Sequence, residues 1–154
     1  MKIFPSKDPK KLARLNQTVQ NLHVKMYPEY FVPYHSEAMV EEFRDIVSYE
    51  GFTFLILEDG GENKGFIFFE IQDRSRTPFK KAYKCLYVHQ ISIIEAAQGK
   101  GYGYALMQRI EQIAKEERAA CIELDYWIRN EHARDFYKRL GFKLEREFVR
   151  KGIR

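Results

Sequence analysis

Between Asp8 and Met26 the apolar positions fall at Leu12, Leu15, Val19, Leu22 and Met26. That spacing lines one side of an α-helix, with Asp8 as its N-cap and Pro9 as its first residue. A second stripe, Met39, Val40, Phe43, Ile46 and Val47, predicts a helix that starts at a Ser36 cap and ends at Gly51. The pattern then changes. "FTFLILE" and "KGFIFFEIQD" are short, aromatic and β-branched, and "DGGEN" joins them, so they read as two strands and a tight turn. "KIF" near the start and "AYKCLYVHQISII" after residue 81 read as further strands. Leu106, Ile110 and Ile113 mark a third helix, "ACIELDYWI" a strand, and "NEHARDFYKRL" a helix stopped by Gly141. "FKLEREFV" reads as the last strand. The predicted order is β-α-α-β-β-β-α-β-α-β. Three successive strands suggest an antiparallel meander, and the later strand-helix-strand unit a parallel crossover. The expected fold is a mixed α/β sheet. No repeat, low-complexity segment or linker interrupts residues 1–154, which read as a single domain.

Composition narrows the setting. A chain of 154 residues is long enough for one real core, and its 45% hydrophobic and 31% charged content is ordinary for a globular domain. No apolar run approaches the ~20 residues that cross a bilayer. "MKIFPSKDPKK" lacks the apolar stretch of a signal peptide. A cytoplasmic protein with no membrane partner is therefore expected, and Cys85 and Cys121, both in apolar stretches, read as buried thiols. The net charge of +4 is a mild bias. Its densest cluster is Arg74, Arg76, Lys80, Lys81 and Lys84. That cluster reads as a solvated loop first and an electrostatic funnel for an anion second. No nucleic-acid motif accompanies it, and no nucleic-acid partner is expected. The apolar material in "FTFLILE" and "GFIFFEIQ" exceeds what one face of a small sheet can bury, so a homodimer is expected.

The candidate chemistry begins at "QGKGYGYALMQRIEQIAKEE", where three glycines in five residues lead straight into a helix. Such a loop suits a phosphate. The unsatisfied amides and the helix dipole place about half a positive charge there, and glycine lets the backbone come close. A P-loop requires G-x-x-x-x-G-K-[ST], but Lys100 is followed by Gly101 and no Ser or Thr is placed for magnesium. A dinucleotide fingerprint fails in both frames, with Tyr104 or Leu106 at its third position. The pattern Q/R-x-x-G-x-G/A fits, through Gln98, Gly101 and Gly103.

Two other segments stand at the matching distances. "HQISIIEAAQGKGYG" supplies a strand end and a short spacer before Gln98. "NEHARDFYKRLGF" supplies Asn130, Ala133, Phe136, Tyr137, Gly141 and Phe142. With these three motifs in order, the chain resembles the GNAT superfamily of acetyl-CoA-dependent N-acetyltransferases. The resemblance is strong from about Tyr83 to Phe148 and topological before that.

The resemblance implies acetyl transfer from acetyl-CoA (coenzyme A) to a primary amine in a ternary complex, with a small-molecule or peptide amine as acceptor. Gln98, Gly99, Lys100, Gly101, Tyr102 and Gly103 would hold the pyrophosphate, together with Asn130 near the cofactor. Ile91 and Ser92 would pair with the pantetheine arm as an added strand, and the backbone N–H of Ile93, at a bulged strand end, would face the oxyanion. Tyr137 would protonate the leaving thiolate; the same residue could simply pack beside Phe136. Alternation puts Cys85, Tyr87, His89, Ile91 and Ile93 on one face. That makes His89, or the position of Tyr87, a base candidate, with Glu70 on the neighbouring strand as the alternative. A core histidine is the competing reading of His89. Tyr27, Glu29, Tyr30, Phe31 and Tyr34 fall where the family's acceptor pocket is covered, and could hold a cationic amine or merely pin their loop to the core. A non-catalytic acyl-CoA-binding sensor is the other class that these motifs allow, and it would need neither His89 nor Tyr137. No metal site is expected.

Overall fold

The structure, a computed structural model, describes all of residues 1–154. It falls into two compact units, Met1–Leu124 and Asp125–Arg154, taken here one at a time.

The first unit carries a five-stranded sheet in the order β1-β2-β3-β4-β5. Its elements are β1 (Lys2–Pro5), α1 (Pro9–Met26), α2 (Ser36–Val47), β2 (Phe52–Asp59), β3 (Glu62–Arg74), β4 (Tyr83–Ile93), a single 3₁₀ turn at Glu95–Ala97, α3 (Tyr102–Glu116) and β5 (Cys121–Glu123). β1 to β4 pair antiparallel. β5 joins β4 in parallel, the crossover predicted from the strand-helix-strand order.

Local chemistry explains the starts and stops. Asp8 Oδ1 accepts the N–H groups of Lys10 and Lys11, and Pro9 opens α1. α2 departs from expectation. Its N-cap is His35, whose ring Nδ1 accepts the Ala38 N–H at 3.2 Å, and Ser36 is already helical. The helix ends at Val47 under a Ser48 cap, before Gly51. Gly60 and Gly61, with φ of 61° and 78°, form the β2–β3 turn. Both conformations are left-handed, which suits the twist of a two-residue hairpin.

Both faces of the sheet are covered. Phe54, Ile56, Phe66 and Phe68 pack with Leu12, Leu15 and Phe43 from α1 and α2. The alternate residues Leu55, Leu57, Ile67 and Phe69 are equally buried, and alternation turns them to the opposite face. There α3 packs on β3 and β4 with Leu106, Met107 and Ile110 buried. The apolar runs of β2 and β3 are therefore satisfied within the chain. The surplus apolar surface that motivated the homodimer is absent from them.

The second unit contains α4 (Glu131–Arg139). Asn130 Oδ1 caps it by accepting the Ala133 N–H at 3.0 Å. Gly141, at φ 89°, closes it, with the Phe142 N–H reaching back to the Tyr137 C=O. The last predicted strand does not form: residues 142–154 have no regular structure, and Leu144, Phe148 and Val149 are exposed. The alternation of Phe142, Leu144 and Phe148 is a strand signal, but it lacks a paired strand and a buried face. The fifth strand is also shorter than the predicted run to Ile128.

Candidate active site

The β4–β5 ladder covers only Cys85 to Tyr87 of β4, the last pair being Tyr87↔Glu123. From Val88 to Ile93 no strand pairs with that edge. Backbone alternation shows what the uncovered edge presents. In a strand the N–H and C=O of successive residues point to opposite edges. The Ile94 N–H donates to the Lys64 C=O at 2.9 Å, so Ile94 faces β3. Ile93 then faces away from β3, and its carbonyl accepts the Gln98 side-chain amide there at 3.2 Å. Ile91, two residues back, has the same orientation. Ser92 lies between them with its backbone toward β3, and its hydroxyl, buried, donates to the Leu15 C=O at 2.7 Å. The uncovered edge thus offers Ile91 and Ile93, and Ser92 anchors it to α1.

That edge runs through the 3₁₀ turn into the glycine loop. Gly99 and Gly101 have φ of 74° and 84°. A Cβ on either would meet nothing within 4 Å, so within the chain backbone conformation alone demands glycine here. Gly101 is the N-cap of α3 and has no side chain to cap with. The first intrahelical bond runs from Ala105 N–H to Gly101 C=O, and the amides of Tyr102, Gly103 and Tyr104 precede it. Tyr102 is drawn aside: its hydroxyl donates to Asp59 Oδ2 at 2.7 Å, tying the loop to the β2–β3 hairpin. This bond holds the Asp59 carboxyl below its usual range and the Tyr102 phenol above its own. Lys100 is exposed. The basic cluster lies elsewhere. Gly65↔Ile93 marks the loop end of the β3–β4 ladder and Arg74↔Tyr83 the far end, roughly 30 Å away at ~3.3 Å per residue. Arg74 there is paired with Glu123 at 3.2 Å. The cluster is not a funnel at the glycine loop.

The base candidates require a correction. The β3–β4 register runs Phe69↔Val88 and then Phe68↔Gln90, leaving His89 as an extra residue in a bulge. The expected irregularity at Ile93 is absent, since Ile93 pairs with Gly65. Strict alternation fails between His89 and Gln90. Cys85, Tyr87 and His89 lie on the α1/α2 face, whereas Ile91 and Ile93 lie on the α3 face. Gln90 joins His89 on the α1/α2 face, where its Oε1 accepts from Asn16 Nδ2 at 2.9 Å. Asn16 is itself buried, and its Oδ1 has no partner. His89 stacks on Phe68, with ring centroids 4.8 Å apart and planes 15° from parallel. Phe52 and Tyr87 are each 4.9 Å away. His89 Nε2 lies 3.3 Å from Glu70 Oε1, so the two candidate bases are one pair. Tyr87, between them in register, faces Glu70 across the ladder.

The aromatic loop is held against α1. Tyr34 donates to the Ala13 C=O at 2.9 Å, and the Gln20 amide to the Val32 C=O at 2.7 Å. Phe31 lies 4.7 Å from the His23 ring. Tyr27 is buried and 6.1 Å from Tyr30, while Tyr30 and Glu29 are exposed. Tyr34 also lines a groove of about 770 Å³ between α1 and α2, with Lys10, Arg14 and Glu37. In the second unit Tyr137 is buried among Tyr126, Phe136 and Phe142. Burial, and then the nearby Asp125 carboxylate, push its hydroxyl pKa well above the usual tyrosine range. Asn130, expected at the cofactor, spends its Oδ1 on the α4 cap.

Sequence reasoning missed Gln90, Asn16 and Asp59. Gln90 and Asn16 are 74 residues apart, and nothing local marks either. Asp59 stands in "DGGEN", where turn chemistry already accounts for an aspartate.

The Acetyltransferase (GNAT) family model matches residues 17–142. An uncharacterized N-acetyltransferase of Methanocaldococcus jannaschii is 30% identical over 101 residues. That match covers 66% of this chain and 43% of the relative, so the chain accounts for less than half of the relative's length. Among solved structures, a tetramutant of a Bacillus halodurans protein superposes with a TM-score of 0.92 at 24% identity, covering 99% of this chain and 100% of that one. An aminoglycoside antibiotic 6'-N-acetyltransferase of Acinetobacter haemolyticus, in its apo form, superposes with a TM-score of 0.70 at 13% identity, covering 100% and 99%. At such identities these two structures show a shared fold.

Proposed function

This chain belongs to the GNAT family of acetyltransferases, and on that premise we propose that residues 1–154 work as one domain that moves an acetyl group from acetyl-CoA to a primary amine. One observation carries the reading: an uncovered strand edge, presenting Ile91 and Ile93, runs directly into a left-handed glycine loop at a helix N-terminus. The edge has the spacing and polarity to pair with an amide-bearing arm as an added strand does. The loop has the amides and the dipole for a pyrophosphate. When bound, acetyl-CoA supplies a thioester carbonyl for the amine to attack and a thiolate that leaves.

The protein's own groups then have distinct tasks. Gln98 stiffens the strand end through the Ile93 carbonyl. Gln98–Gly103 grip the anion, and the backbone N–H groups of Ile91 and Ile93 serve as donors along the edge. Ser92 holds the edge from behind through α1. The Glu70–His89 pair, with Tyr87 beside it, handles the amine's proton. Tyr137 keeps its own proton at any working pH, so it acts as a hydrogen-bond donor to the departing sulfur. Tyr27, Glu29, Tyr30, Phe31 and Tyr34 flank the acceptor. The buried thiol Cys85 suits a reducing, cytoplasmic compartment. No helix is long and apolar enough to cross a membrane.

Release of free thiol from acetyl-CoA across a panel of amines, with the acetylated product identified by mass, tests this reading. Turnover on at least one amine is expected. Tight acetyl-CoA binding with no turnover on any amine would instead favour the sensor reading. Light scattering at micromolar concentration decides the homodimer.

A further inference from the structure

His89 owes its surroundings to the bulge. In an unbroken strand, residue 89 would still sit on the α1/α2 face, but Gln90 would turn away toward α3. The extra residue places His89 and Gln90 side by side on the α1/α2 face. Gln90 is taken up by Asn16. His89 is held by three rings, Phe52, Phe68 and Tyr87. These fix its plane and leave its ring edge to polar partners. One edge nitrogen, Nε2, is 3.3 Å from Glu70 Oε1.

Glu70 is fixed in turn. The Gln72 side-chain amide donates to the same oxygen, Oε1. Gln72 accepts from Arg74 Nη2 at 2.6 Å. The Cys85 thiol lies 3.7 Å from that same Gln72 oxygen. A line of polar side chains, Arg74, Gln72 and Glu70, therefore ends at His89. An ionised carboxylate only accepts hydrogen bonds, so the nitrogen beside it carries the hydrogen. In a neutral imidazole the other nitrogen is then the acceptor.

We propose that Glu70 is a positioning residue that fixes His89 as its Nε2–H tautomer, leaving Nδ1 as the atom that receives the acceptor amine's proton. The amine's role rests on the acetyltransferase reading; the tautomer does not. As the amine nitrogen bonds to the acyl carbon, its N–H bond breaks and the proton passes to Nδ1; the carbonyl π pair moves to oxygen and returns as the C–S bond breaks, so that the coenzyme A thiolate leaves with that bond's electrons. The resulting imidazolium faces the Glu70 carboxylate through Nε2, and the proton later leaves from Nδ1 to solvent. Glu70 does not compete with His89 as the base.

The test uses the ¹⁵N-labelled full chain, with the imidazole nitrogens read by long-range proton–nitrogen correlation above neutral pH. Wild type is expected to show His89 with hydrogen on Nε2. Glu70→Ala is expected to give a tautomer mixture and a kcat about 10²-fold lower, with the KM for acetyl-CoA unchanged. Glu70→Gln keeps a carbonyl oxygen that Nε2–H and Gln72 can share. It is expected to restore the tautomer and most of kcat, which also guards against misfolding in the alanine variant. Hydrogen on Nδ1 in wild type would overturn the proposal. So would a Glu70→Ala protein with wild-type tautomer and kcat. If no amine is acetylated by wild type, the acetyl-transfer reading falls, and the tautomer alone decides the role of Glu70.

Discussion

Gly101→Ala separates what the glycine loop does for the fold from what it does for a ligand. Gly101 has φ 84° and ψ 2°, and a Cβ there would meet no atom within 4 Å. The cost to the free protein is thus left-handed backbone strain alone, about 1–2 kcal/mol. Unfolding entropy of about 2.1 cal/mol/K per residue gives roughly 0.32 kcal/mol/K for a chain of this length, so Tm should fall by about 3–6 °C. Acetyl-CoA at ~100-fold excess over its Kd should stabilise wild type by about 2.7 kcal/mol, or about 8 °C on the same scale. In Gly101→Ala the new methyl group stands at the mouth of the amide nest, or else the loop relaxes and turns its amides away. Either way the ligand shift should drop below half. Gly61→Ala is the matched control. Its φ is 78°, it too has open space, and it lies in the β2–β3 turn. It should lose similar stability and keep the full shift. Differential scanning fluorimetry with and without acetyl-CoA reads both effects. A full ligand shift in Gly101→Ala would refute the loop as the phosphate site.

Three further outcomes rest on named side chains. In Gly65→Ala the added Cβ would lie against Ile93 Cδ1 and 2.6 Å from the Ser92 carbonyl oxygen, so urea denaturation should show a loss of about 1–3 kcal/mol; an unchanged midpoint would contradict that close approach. Tyr137 has a folded pKa above its unfolded value of about 10, so its contribution is complete below pH 10 and is lost as pH rises toward the folded value. Stability of wild type should therefore fall above pH 10, with up to about 1.4 kcal/mol per pH unit coming from this group. Tyr137→Phe should lack that part of the slope, and identical alkaline profiles would contradict it. Cys85 is buried as expected, but Cys121 is exposed; partial desolvation still raises both thiol pKa values. Native protein should react slowly with a disulfide reagent at one thiol, and unfolded protein at two. Equal native reactivity of both would contradict the burial of Cys85 beneath the sheet.

Signals carried within a few residues proved legible. Asp8 and Pro9 announce α1, the Gly60–Gly61 pair announces the hairpin, and Gly141 announces the end of α4, because each acts on its own backbone. The glycine loop was legible for the same reason. Other features were not. A bulge is one inserted residue, and only the β3 register reveals that His89 is the extra one. The strand pattern at 142–149 is real, but a strand also needs a neighbour, and pairing is not a local property. The apolar runs of β2 and β3 looked like unsatisfied surface, although α1, α2 and α3 cover both faces. His35 as a cap escaped notice because ring nitrogens are rarer caps than hydroxyls and carboxylates. The Asn16–Gln90 and Ser92–Leu15 ties join segments more than 70 residues apart, and they decide how α1 holds the edge on which the proposed site depends.

In the proposed complex acetyl-CoA lies along the uncovered edge of β4 with its phosphates at the α3 N-terminus. Amide hydrogen exchange, with and without saturating acetyl-CoA, measures this residue by residue. Slower exchange is expected at Ile91 and Ile93 and across Gly99–Tyr104, with the β3–β4 loop at residues 75–82 unchanged. Protection confined to other segments, or none at saturation, would contradict it.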